Sequence, residues 1–367
     1  MAGIYVHIPF CHSKCAYCDF YSMPLRNEAD FVEALMNEYA SRKKELAQEI
    51  STIYLGGGTP SCLSRSQLTR IFNLLPVDKA EEITIEINPE DATDDFVKWL
   101  HHDTLVNRVS MGVQSLNDTE LKTIGRRHSA IEAINAAKRL LESGFNLSLD
   151  LIYGLPGQNT TSWEKSLDGV LALNPHHLSC YLLSYEPGTR LTAMKQTGKI
   201  TEISDTEALE MYELLCDKAY SSGYQHYEIS NFSKLGFHSR HNSSYWNLTP
   251  YLGLGPGAHS FDGKIRRYNP GNLKQYIENK GIGITVAEDE NDSERFNDFV
   301  ITSLRTEKGM SLELCSAMFG SLRRNKVERI SERFIKEGIM WHNSNYLGIN
   351  THYWLTSDAI MLEFIEI

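Results

Sequence analysis

The feature that most constrains the fold is a regular alternation of short β-branched runs with amphipathic stretches over the first half of the chain. The strand candidates cover residues 3–8, 52–55, 83–87, 107–113, 147–153 and 177–183. Helix candidates, in which apolar residues recur at helical spacing, cover residues 30–47, 95–102, 130–143 and 162–173. Strands at intervals of about 30 residues match the size of a repeated strand–helix unit. The pattern therefore predicts an α/β protein with a parallel sheet, either open or curved into a barrel.

The first strand candidate leads directly into a cysteine-rich loop, YVHIPFCHSKCAYCDF at residues 5–20. Cys11, Cys15 and Cys18 are spaced C-x3-C-x2-C, so too few residues separate them to form an element of their own. Three thiolates this close can ligate three corners of one four-iron cluster and leave the fourth iron open. A zinc site is the alternative, in which His7 or His12 completes a Cys3His set.

Composition limits the partners and the compartment. The chain of 367 residues carries a formal net charge of -11 at pH 7, which argues against nucleic acid because phosphate binding needs a basic face. No apolar run approaches the roughly 18 residues that span a bilayer, and a peripheral membrane contact stays open. The cysteines number seven, which is odd, and we expect no targeting segment because Met1 leads directly into the first strand candidate. We therefore expect reduced thiols and a cytoplasmic protein.

Polar and glycine-rich segments follow the strand candidates, at the ends where α/β barrels place their reactive groups. They include Gly57, Gly58 and Thr59 after the second candidate, Glu86 on the third, Gln114 and Arg126 after the fourth, and Asp150 on the fifth. Glycines let a ligand approach the backbone closely and expose N–H groups to an anion, although a tight turn explains a glycine run equally well. Repeated placement at strand ends behind the three-cysteine loop predicts one shared site.

Five motifs in this order resemble the radical SAM enzymes of the coproporphyrinogen dehydrogenase group. They are the C-x3-C-x2-C loop, GGGTP (56–60), TIEINPE (84–90), SMGVQSL (110–116) and DLIYGLPGQ (150–158). The resemblance extends over about residues 3–260. Within the group, the chain resembles the branch of the heme chaperone HemW more than the dehydrogenase. It implies an incomplete (β/α)6 barrel with a [4Fe–4S] cluster at its mouth.

The resemblance also implies S-adenosylmethionine, bound to the open iron of the cluster. Tyr5, Gly57 and Glu86 match family positions that contact this molecule. The positions that hold a second such molecule in the dehydrogenase are matched here by Tyr17, Gly58, Thr59, Gln114, Arg126 and Asp150. The resemblance therefore leaves open whether the chain binds one or two molecules of S-adenosylmethionine.

Two departures separate the chain from the dehydrogenase and are shared with the HemW branch. The dehydrogenase has a further cysteine two residues beyond the third ligand, where this chain has Phe20. It also has an N-terminal extension that helps to cover its active site, whereas the first strand candidate here begins at Gly3, so we expect no such cover. The resemblance implies a heme chaperone that delivers heme to acceptor hemoproteins. The alternative is an oxygen-independent dehydrogenase that decarboxylates coproporphyrinogen III through a 5′-deoxyadenosyl radical.

A further motif, HNSSYW at residues 241–246, matches the HNxxYW pattern of the HemW branch. Imidazole is a common axial ligand of heme iron, and aromatic rings cover a porphyrin face. We therefore expect His241 as the axial ligand, with Tyr245 and Trp246 against the porphyrin. A hydrogen-bonded histidine under an aromatic lid is the alternative. His259, after a glycine-rich loop, is a weaker candidate ligand for which a structural role is favoured.

The chain changes character at an acidic stretch over residues 288–292. We expect a barrel with the cluster and cofactor site over 1–260, a connector over 261–292 and a smaller C-terminal helical, winged-helix-like domain over 293–367. Its helix candidates begin at 293, 311, 327 and 357, and its strand candidates are 339–342 and 353–355. A second connector is expected over 187–200, and a helix over 205–222.

Overall fold

The structure is a computed structural model that describes residues 1–46 and 48–366. Its strands are β1 (Ala2–Ile8), β2 (Phe10–Cys11), β3 (Met23–Pro24), β4 (Ile50–Gly57), β5 (Glu82–Ile87), β6 (Arg108–Gln114), β7 (Asn146–Tyr153), β8 (His177–Leu182), β9 (Gln225–Glu228), β10 (Asn231–Ser233), β11 (Tyr251–Leu254), β12 (His259–Phe261), β13 (Arg266–Tyr268), β14 (Val286–Ala287), β15 (Met310–Ser311), β16 (Met340–His342) and β17 (Tyr346–Ile349).

Its helices are α1 (Glu28–Arg42), α2 (Arg65–Leu74), α3 (Asp94–Asp103), α4 (Asp118–Thr123), α5 (Ala130–Glu142), α6 (Thr160–Ala172), α7 (Arg190–Gln196), α8 (Asp205–Ser221), α9 (Arg240–Trp246), α10 (Leu273–Glu278), α11 (Asp292–Leu304), α12 (Leu312–Phe319), α13 (Ser321–Lys336) and α14 (Ser357–Met361). In the part of the chain that the structure describes, none of these helices is long and apolar enough to cross a bilayer.

Parallel strands form the centre of a large sheet, in the order β11-β1-β4-β5-β6-β7-β8. Strands β1 and β4 to β8 are the six predicted strands, each placed within two residues of its predicted ends. Side chains alternate along β1, where Ile4, Val6 and Ile8 belong to the apolar core, and Tyr5 and His7 point to the opposite face. The strand–helix repeat predicted from the sequence is confirmed.

The large sheet does not close on itself in the described residues. Antiparallel strands extend it beyond β8, through β10 to β9, and beyond β11, through β12 and β13 to β14. The fold is therefore an incomplete (β/α)6 barrel, as expected. Because the carboxyl ends of β4 to β8 and the loop that follows β1 line one cavity, the strand order itself assembles a site there.

Most predicted helices are present, and the largest omission concerns the connector predicted over 187–200. The helix predicted over 30–47 is α1, with Ala47 outside the described residues, and α3, α5, α6 and α8 match the other helix candidates. The connector contains α7, which begins where the Thr189 hydroxyl accepts a hydrogen bond from the Thr192 N–H at 3.2 Å. This helix is too short to show a clear apolar period in the sequence, so the sequence predicted the connector but not the helix within it.

The C-terminal residues form α11, β15, α12, α13, β16 and β17 in the order of a winged helix, with a small sheet ordered β15-β17-β16. The strand predicted at 353–355 is wrong: those residues lie in a helical turn, Thr351–Thr356. Trp354 is fully buried there, and its indole N–H donates to the Ile349 carbonyl at 3.1 Å. The apolar residue that suggested a strand is therefore part of the core. Strands β13 and β14, from the predicted connector over 261–292, continue the large sheet, and the division into domains stays a prediction.

Candidate functional site

The cysteine loop is held at its base and in its middle. Strands β2 and β3 pair in parallel and close the base of the loop. In the middle, the Ala16 N–H donates to the Ile124 carbonyl at 2.9 Å, and the Ala16 carbonyl accepts from the Leu191 N–H at 2.8 Å. These three residues share a small apolar cluster. Helix α7, which carries Leu191 and which the sequence did not predict, therefore fixes the position of the loop.

Cys11, Cys15 and Cys18 are free, half-buried thiols that line one cavity of about 460 Å³. The Thr59 hydroxyl donates to the Cys11 Sγ at 3.5 Å, and the Arg126 guanidinium donates to the Cys15 Sγ at the same distance. Burial raises the pKa of the Cys18 thiol to about 11. Three sulfur donors around one open cavity fit a cubic iron–sulfur cluster that leaves one iron to a non-protein ligand.

Neither histidine of the zinc alternative lines this cavity. His7 has both ring nitrogens bound within the protein: Nε2 donates to the Tyr21 carbonyl at 2.8 Å, and Nδ1 accepts from the Tyr5 hydroxyl at 3.1 Å. The His12 imidazole lies 3.5 Å from the Asp91 carboxylate. The geometry therefore favours a three-thiolate cluster site over a Cys3His zinc site.

The glycine turn after β4 packs on the start of the cysteine loop. The Gly58 N–H donates to the Ile8 carbonyl at 2.8 Å, and the Gly57 N–H donates to the Glu86 carboxylate at 3.1 Å. A Cβ on Gly58 would lie 2.5 Å from the Phe10 carbonyl oxygen, and Gly57 has a φ of +101°, in the left-handed region. These two N–H groups are thus used inside the protein, which favours the tight turn among the two explanations of the glycine run.

Two carboxyl groups with raised pKa values face the first cavity. Glu86 accepts from the Tyr54 hydroxyl at 2.7 Å, and burial, reinforced by the charge of Asp150, raises the pKa of Glu86 to about 7. Burial also raises the pKa of Asp150 to about 6, although the Ser110 hydroxyl donates to it at 3.2 Å. A cavity with two such groups suits a cationic ligand, whose charge would stabilise their ionised forms.

Arg126 ties the ends of three neighbouring strands together. Its guanidinium donates to the Asn88 side-chain oxygen at 2.7 Å and to the Gly112 carbonyl at 2.6 Å. Asn88 in turn donates to the Thr59 hydroxyl at 3.2 Å. At the end of β6 the sheet register shifts, and Gln114 adopts a φ of +67°, which is uncommon for a residue other than glycine. Such local strain is typical of functional sites.

Most of the binding residues predicted from the sequence line this first cavity together with the three cysteines. They are Tyr17, Gly57, Gly58, Thr59, Glu86, Gln114, Arg126 and Asp150. Tyr5 and His241 are not among the residues that line it. Sequence reasoning missed Asn88, although its place directly after β5 was a usable signal. It also missed Tyr54, which orients Glu86 and which nothing in the sequence separates from a core tyrosine.

A second cavity, of about 410 Å³, lies beside the first and is lined mainly by aromatic rings. The lining includes Tyr5, Tyr21, Tyr245, Trp246, Tyr251 and Phe261, together with His7, His259 and Arg266. Phe20 is 62% exposed and lines both cavities. The segment that follows the third cysteine is therefore a wall shared by the two cavities.

His241 lies at the start of α9 and is not among the residues that line either cavity. It is 1% exposed, its Nδ1 lies 2.8 Å from the Thr52 hydroxyl, and its Nε2 lies 2.9 Å from the Tyr245 hydroxyl. Burial, aided by the charge of Arg108, lowers the pKa of His241 to about 3, so the ring is neutral at pH 7. This is the arrangement of the hydrogen-bonded histidine that the sequence kept as the alternative, and it orients the Tyr245 ring.

Comparison with known proteins identifies the family. Residues 5–169 match the model of the Radical SAM superfamily. The heme chaperone HemW of Bacillus subtilis (strain 168) is 33% identical to this chain over 364 residues, which cover 96% of this chain and 96% of that relative. The chain belongs to the HemW family. The resemblance predicted from the motifs is therefore confirmed.

Further comparisons agree with membership in the HemW family. The heme chaperone HemW of Escherichia coli (strain K12) is 38% identical over 287 residues, which cover 72% of each chain. The solved structure of coproporphyrinogen III oxidase (HemN) from Escherichia coli superposes with a TM-score of 0.82 over 99% of this chain and 90% of that chain, at 24% identity. This likeness shows a shared fold and confirms the predicted fold class.

The raised pKa of Glu86 predicts a pH dependence of stability. The folded protein holds a proton on Glu86 up to about pH 7, whereas the unfolded chain releases it near pH 4.5. The unfolded state thus binds fewer protons in this window, so the free energy of unfolding should fall as the pH rises from about 4.5 to 7. Glu86→Gln should reduce this fall by roughly 1–3 kcal/mol. Urea denaturation of the ligand-free protein at several pH values measures the difference, and parallel curves for the two proteins would contradict it.

Proposed function

We propose that this member of the HemW family binds heme and delivers it to acceptor hemoproteins. Its relatives are named heme chaperones, and two of them match it over most of their length. The observation that carries the proposal is the presence of two adjoining cavities of different chemistry. One is lined by three thiols and two carboxyl groups, and the other mainly by aromatic rings, which bury porphyrin surface well.

We assign a [4Fe–4S] cluster to the first cavity, with Cys11, Cys15 and Cys18 as its protein ligands. The cluster would supply an open iron to which the amino and carboxylate groups of S-adenosylmethionine bind. Glu86 and Asp150 line the same cavity and would face the cationic parts of that molecule. The polar residues Tyr17, Thr59, Gln114 and Arg126 extend this surface, and whether they hold a second molecule stays a prediction. The free cysteines support a reducing compartment, and we propose the cytoplasm.

A dehydrogenase of coproporphyrinogen III is the second candidate, which the fold shared with HemN favours. The two functions differ in what happens to a porphyrin: a chaperone releases it unchanged, whereas the dehydrogenase converts propionate side chains. The Phe20 ring stands where the dehydrogenase has a cysteine, and it lies between the two cavities. We favour the chaperone because the aromatic cavity offers a separate place for a bound ring.

The test is a pair of anaerobic measurements on the reconstituted protein. We expect hemin to bind with a saturable Soret band and to transfer to an apo-hemoprotein on mixing. We expect no protoporphyrinogen IX from coproporphyrinogen III in the presence of S-adenosylmethionine and a reductant. Sustained turnover to protoporphyrinogen IX would show that the protein is a dehydrogenase. Failure to bind hemin would refute the chaperone proposal.

A further inference from the structure

Resting on the proposed function, we infer that heme binds in the second cavity with His259 as its axial ligand, and that His241 is a positioning residue behind it. The two cavities are lined by different kinds of side chain. The thiols and carboxyl groups face the first cavity, and no cysteine lines the second among the described residues. A cavity of about 410 Å³ lies within the range of roughly 300–1,000 Å³ that is typical of ligand pockets.

Three histidines lie in or behind the second cavity, and they differ in the state of their ring nitrogens. His7 and His241 each have both nitrogens engaged in hydrogen bonds to protein groups, and both rings are buried. His259 is exposed, lines the cavity, and makes no side-chain hydrogen bond within residues 1–46 and 48–366. An axial ligand must present a nitrogen lone pair to the iron. His259 is the histidine that meets this requirement.

Coordination by His241 would carry a structural cost that His259 avoids. Turning a nitrogen of His241 to a metal would break its contact with Thr52 or with Tyr245. Thr52 is 3% exposed, and leaving a buried hydroxyl without a hydrogen-bond partner destabilises the folded protein. The ring also lies directly against Gly3, where an added Cβ would be only 3.1 Å from it.

The backbone around His259 is preorganised. The Gly257 N–H donates to the Asn269 carbonyl at 3.0 Å, and the Asn269 N–H donates to the Ala258 carbonyl at 2.9 Å. Along β12, His259 and Phe261 line the cavity, while Ser260 between them is buried and accepts from the Gly253 N–H at 2.9 Å. The His259 ring stacks on Tyr268, with centroids 5.6 Å apart. These contacts fix the direction of the imidazole before a ligand arrives.

His241 acts on this cavity through Tyr245. Its Nε2 holds the Tyr245 hydroxyl at 2.9 Å, and the Tyr245 ring meets the Tyr251 ring edge to face, with centroids 4.7 Å apart. Both tyrosines line the second cavity and offer surface to a porphyrin. Arg266, the cation of this lining in the described residues, is ion-paired with Glu290 and Asp298. Because its charge is already compensated, we expect this arginine to attract the propionates of a bound heme only weakly.

Spectroscopy of bound ferric heme separates the two histidines. His259→Ala should change the position of the Soret band and the spin state seen by electron paramagnetic resonance, and it should speed heme release to apomyoglobin about tenfold or more. Added imidazole should restore the wild-type spectrum. His259→Cys should give the spectrum of a thiolate-ligated heme. His241→Ala should weaken heme binding, but the heme that binds should show the same kind of spectrum as in the wild type.

His342→Ala is the matched control, because His342 is an exposed histidine on β16 that lines neither cavity. It should behave as the wild type. If the wild type binds no heme, the proposed function fails. If the wild type binds heme but His259→Ala keeps its spectrum and release rate, while His241→Ala loses the axial signature, the function stands and the present assignment is wrong.

Discussion

Alanine at any one of Cys11, Cys15 and Cys18 should abolish the iron–sulfur cluster of the anaerobically reconstituted protein. These are the thiols that line the first cavity in the described residues, so no neighbouring cysteine is placed to substitute for a lost ligand. A cube held by two thiolates would leave two irons without protein ligands. We expect iron and acid-labile sulfide to fall from about four per chain to near zero, and the visible absorption of the cluster to disappear.

Cys62→Ala is the control for this experiment. The Cys62 thiol is buried outside the first cavity, in a group with His12 and Asp91 whose ligand atoms lie within 4.8 Å of one another. Its removal should leave the iron content of the wild type unchanged. A wild-type protein that binds one zinc ion and no iron would refute the cluster assignment, and so would an equal loss of iron in Cys62→Ala.

The first cavity could be predicted from the sequence because its parts follow a local rule. Parallel strands present their carboxyl ends on one side of the sheet, so Glu86 and Asp150, which lie near such ends, face the same space once the strands are identified. The spacing of the cysteines added the cluster loop. Both signals are local in the sequence. The strand ends follow from the alternation of residues within each strand, and the cluster loop follows from the spacing of neighbouring cysteines.

The second cavity could not be predicted because its walls come from distant segments that meet through tertiary packing. Tyr5 lies on β1, Tyr245 on α9 and Phe261 on β12, and no sequence period links them. The same limit applies to His241, whose role as a heme ligand stays a prediction from the motif. The HNxxYW motif favoured His241, but burial and the hydrogen bonds that occupy its nitrogens depend on Thr52, which stands on a strand far away in the chain.

The two cavities share the Phe20 wall, so the cysteine loop contacts the cavity to which we assign heme. The Lys14 ammonium donates to the Phe20 carbonyl at 2.9 Å, within the loop that carries the three cysteines. The next residue, Tyr21, accepts from His7 through its carbonyl and from the Leu273 N–H through its hydroxyl. Hydrogen bonds thus connect the cysteine loop to Tyr21, which lines the second cavity.

The largest loss of stability that we expect comes from Glu38→Ala. Glu38 on α1 is fully buried, and its carboxylate accepts hydrogen bonds from Arg42 at 2.7 Å, the Gly255 N–H at 2.8 Å, Asn269 at 2.7 Å and the Tyr276 hydroxyl at 2.6 Å. Removing it leaves buried donors without an acceptor. Breaking a buried ion pair in this way costs roughly 3–5 kcal/mol, which urea denaturation measures as a fall in the free energy of unfolding.

Glu45→Ala is the matched control, because Glu45 pairs with the same Arg42 at 2.9 Å but has a side chain that is 38% exposed. An ion pair of this kind contributes at most about 1 kcal/mol, so the two variants should differ several-fold in their effect. Equal losses would show that the Glu38 network adds no stability beyond the ion pair. The same network holds Gly255, at the start of the turn that leads to His259, and Asn269, whose backbone pairs with Gly257 and Ala258 of that turn. Glu38→Ala should therefore also speed heme release under conditions where the protein stays folded, whereas Glu45→Ala should not.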